Sequence, residues 1–144
     1  MRQHTGRRLH VFHGLVNYGT QAGLFAQGLR AQGIDALSVS VSDRFKRKID
    51  IELIYDGDNI FENIIKHTWN RIKRYYWFFR YNTFHFYFGA TLFSNQSDLP
   101  FYRFFGKKVL MEYLGYDVQL YKYSVEKYEV TNLRYYHSHE DSLM

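Results

Sequence analysis

Several groups of residues in this chain have types and spacings that could do chemistry. His13 stands before Gly14 at the head of a short loop, Gly14 to Gly19, that feeds a helical pattern, and the free N–H groups of a helix start attract anions. GLVNYG lacks the G-x-G-x-x-G spacing and no Walker lysine follows it, so the loop is neither a dinucleotide fingerprint nor a P-loop. Glu112 is the carboxylate closest to the edge where such loops should gather, and it can serve as a base or accept a hydroxyl. His85 sits in TFHFYFG, where a histidine satisfied within the core is the simpler reading than a catalyst. Lys66, Arg71, Lys73, Arg74 and Arg80, with Trp77 among them, offer a basic aromatic surface suited to anionic headgroups or a phosphate-bearing acceptor. His137, His139 and Glu140 are of types that bind metals, but two histidines at i and i+2 need a strand or loop to converge and no third ligand is defined beside them, so they read as part of a solvated tail and no metal site is assigned.

The elements that must position these residues follow from periodicity and punctuation. Leu9 to His13, Ile34 to Val41, Ile51 to Tyr55, Thr83 to Phe88 and Lys108 to Tyr113 are short β-prone runs, several of them closed by glycine. Between the first two lies an amphipathic helix with Ala22, Phe25, Ala26 and Leu29 on one face, stopped by Gly33. Ser42 to Asp50 reads as a polar, basic loop, and Asp56 to Asn59 as a turn that also offers a helix cap. The helix expected over about Ile60 to Tyr81 carries Ile65, Trp69, Ile72, Tyr76 and Phe79 on one stripe, whose simplest role is to pack on the sheet. Tyr75, Trp77 and Phe78 then fall off that stripe and are candidates for exposure. A short helix from Leu99 to Phe105, capped by Asp98 and stopped by Gly106, connects the last two strands. Two βαβ units of this kind imply parallel strands and right-handed crossovers, and the glycine turns after them gather on one edge.

Composition limits the options. With 144 residues the chain suits one domain, and with no cysteine it can hold neither a disulfide framework nor a thiolate metal site. No apolar run approaches the roughly 20 residues of a membrane span, and the N-terminus lacks an apolar leader, so a cytoplasmic protein is expected. A net charge of +5 together with 20% aromatic residues points to an anionic partner. Nucleic acid ranks low as that partner, because no module motif is present.

His13-Gly14 with Asn17-Tyr18-Gly19, the strand end Phe84 to Gly89, Asp98-Leu99-Pro100, Gly106 to Val109 and Gly115 to Val118 together resemble the N-terminal half of GT-B glycosyltransferases. The likeness is to the retaining group that uses nucleotide sugars in bacterial envelope polysaccharide synthesis, and it covers roughly residues 8 to 119. It implies an α/β fold, a Rossmann-like three-layer parallel sheet with flanking helices, over 1–119, with 120–144 an extension or the start of a continuation. It also implies an acceptor-side domain of a hexosyltransferase-type enzyme that moves sugar from a nucleotide-sugar donor to a saccharide or lipid-linked acceptor, with no tightly bound cofactor. The donor half would come from a C-terminal domain or a partner chain, without which the 144 residues should be inactive. By this likeness His13, Gly14, Asn17, Gly19 and Thr20 would meet phosphate or sugar hydroxyls, and Gly89, Gly115 and Asp117 would line the cleft. The protein would work at the cytoplasmic face of the membrane, held peripherally. The competing expectation is a non-catalytic membrane-surface or saccharide-binding module that works through the basic aromatic helix 60–81.

Overall fold

A computed structural model of the chain describes residues 8–41, 47–93 and 96–113, and the strands and α-helices among these described residues fall within the compact unit Met1–Glu112. In chain order these are β1 (His10–His13), α1 (Gln21–Ala31), β2 (Asp35–Val41), β3 (Ile51–Leu53), α2 (Ile60–Arg80), β4 (Thr83–Tyr87), α3 (Leu99–Phe104) and β5 (Lys108–Glu112). All five strands are parallel, in the order β3-β2-β1-β4-β5. This is the expected Rossmann-like α/β sheet, with elements that differ from expectation only at their ends.

Strand alternation divides the core between the two faces of the sheet. Phe12, Val39, Leu53, Phe84 and Phe86 bury one face against Trp77, Phe78 and Tyr81 of the α2 region and Tyr102 of α3. Burying each such side chain contributes about 1.5–3 kcal/mol. Val11 and Ala36 on the other face meet Ala26 and Leu29 of α1. Small residues suit that side, since an added Cβ on Gly23 of α1 would lie 2.1 Å from the Lys48 carbonyl oxygen.

Local sequence explains where the helices begin and end. Asn59 Oδ1 accepts the Glu62 N–H at 2.8 Å, while Glu62 Oε2 accepts the Asp58 N–H at 3.2 Å, so reciprocal bonds start α2. Gly33, at φ +77°, stops α1, with the Ile34 N–H donating back to Leu29 O at 3.0 Å and both side chains packing against the Val11, Ala26 and Ala36 cluster.

Three expectations are corrected by the packing. The stripe Ile65, Trp69, Ile72, Tyr76 and Phe79 faces outward, and the sheet instead receives Asn70, Trp77 and Phe78. Trp77, expected outside, is only 3% exposed, whereas Trp69 is 58% exposed. The inward line runs Asn70, Arg74, Trp77, Tyr81, and its two polar members made hydrophobic periodicity choose the wrong face. Asn70 Nδ2 meets the Ile54 carbonyl at 3.0 Å, so the inward polar group is satisfied. Asp98 makes no side-chain cap. Its buried carboxylate accepts the hydroxyls of Thr91 and Tyr102 instead. Phe25, placed on the buried face of α1, is 46% exposed and lies over the His13 ring.

Candidate functional site at the carboxyl edge of the sheet

The strand order reverses between β1 and β4: the chain proceeds from β1 to β2 and β3 on one side, then returns through α2 to β4 and β5 on the other. Loops diverge at such a point and leave a crevice beyond the strand ends. A cavity of about 630 Å³ occupies this position. Its wall includes Leu15 to Asn17 after β1, Ser40 and Val41 at the end of β2, Arg74 of α2, and Gly89 to Thr91 and Gln96 after β4. Two loops hold this shape through unusual backbone. Phe88 and Gly89 are consecutively left-handed at φ +54° and +75°, and Gly19 and Thr20 repeat the pattern at +55° and +69°. A left-handed Phe costs about 1–3 kcal/mol, which surrounding structure must offset. The Tyr18 and Phe88 rings, 5.3 Å apart and edge to face, join the two loops.

On the α1 face the strand register sets His13 beside His85. His13 Nδ1 and His85 Nδ1 are 3.1 Å apart, and His85 Nε2 lies 2.9 Å from Glu112 Oε2. An ionised Glu112 can only accept, so His85 Nε2 carries the hydrogen and His85 Nδ1 presents its lone pair. His13 Nδ1 must then donate, which leaves the lone pair on His13 Nε2. That atom is buried and has no hydrogen-bond partner among the described residues. Burial first, then the neighbouring His85, pushes the His13 pKa down to about 4, with Asp50 opposing and Arg30 adding to the fall. His85 is lowered as well, by burial, against the pull of Glu112. Both rings are therefore neutral near pH 7, as the alternating donors and acceptors require. Burial also raises the Tyr87 hydroxyl, whose oxygen has no described partner.

The residues expected at the site divide among several positions. Asn17 and Gly89 line the cavity, with the Asn17 carbonyl accepting from Arg47. Of the described residues, His13, Gly14, Gly19 and Thr20 lie in or beside the same loop without lining it. Gly14 is structural there, since a Cβ would stand 2.5 Å from Val39 O. Glu112 is joined to His13 through His85, a buried histidine with both ring nitrogens bonded. Gly115, Asp117, His137, His139 and Glu140 lie outside the described residues. Ser40, Thr91 and Gln96 were not singled out by sequence, because a polar residue at a strand end or in a loop gives no signal until a cavity forms around it.

The basic helix does not form one free cationic surface. Arg80 is bound to Asp35 and His10, Lys66 donates to the Asp56 carbonyl at 2.8 Å, and Lys73 lies 5.9 Å from the Trp69 ring centroid. Arg71 lines a second cavity, of about 910 Å³, between α2 and α3 together with His67, Phe78 and Phe105. Arg74 turns inward and lines both cavities. Among the described residues no helix is long and apolar enough to cross a membrane, and no cluster of residues could hold a metal ion. No known family model, curated protein or solved structure matches the chain.

Proposed function

We propose that this domain is the acceptor side of a sugar transferase, holding a saccharide or lipid-linked acceptor while a separate Rossmann-like domain or partner chain presents the nucleotide sugar. The observation that carries this reading is the cavity at the point where strand order reverses, whose lining includes the polar residues Asn17, Ser40, Thr91 and Gln96. The resemblance of residues 8 to 119 to GT-B acceptor domains supports it. NMR titration of the chain with a panel of oligosaccharides tests the reading. Expected are shifts at Asn17, Ser40, Gly89 and Thr91 that shrink in Gln96→Ala. A panel that moves none of these resonances would sink it.

A second reading is favoured by one observation, the outward face of α2. Ile65, Trp69, Ile72, Tyr76 and Phe79 are all exposed, with Arg71 and Lys73 alongside. Apolar and aromatic side chains flanked by cations suit adsorption to an anionic bilayer. Co-sedimentation with vesicles containing phosphatidylglycerol should fall in Trp69→Glu, and equal binding by the two proteins would refute the reading.

A further inference from the structure

We propose that Arg74 anchors a phosphoryl-binding site in the wall of the carboxyl-edge cavity. Its guanidinium is fixed by neutral groups, with Nη1 donating to the Leu92 carbonyl at 2.7 Å and Nη2 to the Tyr55 hydroxyl. Arg30 and Arg80 show the ordinary arrangement, each held by a carboxylate, Asp50 and Asp35. Among the described residues Arg74 has no such counter-charge. Its Nε–H is also buried without an acceptor. A partly buried cation held in place with a donor left over is completed by an anion, and a planar guanidinium fork matches phosphoryl oxygens in particular.

The surroundings supply the rest of such a site. Asn17, Ser40, Thr91 and Gln96 line the same cavity as Arg74 and add polar groups, and the wall residue Gly89 follows Phe88 in a pair of left-handed residues. Strained backbone persists where the surrounding structure holds it, and such positions cluster at ligand clamps. Arg74 also borders the groove between α2 and α3, where Phe78, Phe79 and Phe105 make an apolar wall. A phosphoryl group at Arg74 could therefore belong to a soluble diphosphate confined to the first cavity, or to a lipid whose apolar part lies along the second. The site goes beyond the acceptor reading and does not need it, since phosphoryl binding can hold where saccharide binding fails.

Two arms test the site and distinguish the sources. In one, the full chain is titrated calorimetrically with inorganic pyrophosphate. In the other, it is sedimented with phosphatidylcholine vesicles carrying phosphatidic acid. Arg74→Gln should weaken binding by about tenfold or more, whereas Lys66→Gln, on the same helix and away from the cavity, should change it less than about twofold. Binding of pyrophosphate identifies a soluble phosphoryl ligand, and Arg74-dependent binding in the vesicle arm alone identifies a lipid phosphate. Because Arg74→Gln also removes the bonds to Leu92 and Tyr55, the wild-type protein gives an independent readout. Its Arg74 Nε–H resonance should shift on saturation with pyrophosphate or with a short-chain phosphatidic acid. An unmoved resonance with both probes, or binding that Arg74→Gln leaves intact, overturns the proposal.

Discussion

At the residue scale, three titratable side chains from three strands settle one another's protons. Glu112 sets the His85 tautomer, His85 sets that of His13, and the result is an open lone pair in a buried position. The arrangement makes stability depend on pH with a definite sign. His13 has a folded-state pKa of about 4, below its unfolded value, so the unfolded chain takes up the proton first. Stability is full above roughly pH 6.5 and is lost as pH falls through about 4, by up to about 3 kcal/mol from this group. The depressed His85 adds to the loss with the same sign. Asp35, held low by His10 and Arg80, and Asp50, held low by Arg30 and Ser38 against burial, lose their contributions only at lower pH. Urea denaturation at about pH 7 and about pH 4.5 should show the drop in wild type and a smaller one in His13→Gln. Equal slopes in the two proteins would show that His13 does not titrate this way.

Elements in this fold approach one another through glycine at two points. A Cβ at Gly14 would stand 2.5 Å from Val39 O, and one at Gly23 would stand 2.1 Å from Lys48 O, with backbone as the obstacle each time. Neither contact can relax by rotating a side chain. Gly14→Ala and Gly23→Ala should each destabilise the protein by about 2 kcal/mol or more. Gly28 lies in the same helix as Gly23, with nothing within 4 Å of its would-be Cβ. Gly28→Ala should therefore stabilise by about 0.5–1 kcal/mol, because alanine lowers the entropy of the unfolded chain without a clash. Thermal melts of the three variants decide the matter, and similar losses at Gly23 and Gly28 would contradict the described packing of α1.

For the whole molecule, the orientation of α2 determines which aromatic residues stabilise the fold and which are left to meet a partner. Trp77 packs on Phe12 with ring centroids 5.4 Å apart, inside a cluster that includes Phe84 and Phe86. Trp77→Ala should cost about 3–5 kcal/mol, while Trp69→Ala should fall within about 0.5 kcal/mol of wild type. Denaturant midpoints that ranked the two variants the other way would reverse the helix. The same rotation turns Arg74 from a surface cation into part of the cavity wall, so one helix face governs core stability and the chemistry of the site together.

The elements themselves were legible in the sequence, because strands and helices declare themselves through local patterns. Glycine after a strand, Asn59 before a helix and alternation in TFHFY act over a few residues, and the parallel sheet follows from the βαβ crossovers they imply. The facing of α2 was not legible. Apolar periodicity identifies a coherent stripe but not what covers it, and here the inward line carries Asn70 and Arg74, which bond to Ile54, Leu92 and Tyr55 from distant segments while Arg74 Nε–H is left without an acceptor among the described residues. His13, His85 and Glu112 were each visible as candidates, yet their link exists only because parallel register sets β1, β4 and β5 side by side. Sequence alone determined the list of elements and the edge where their loops meet. Tertiary structure decided which side chains share a proton and which cation faces the cavity, since both depend on groups brought within about 3 Å from positions far apart in the chain.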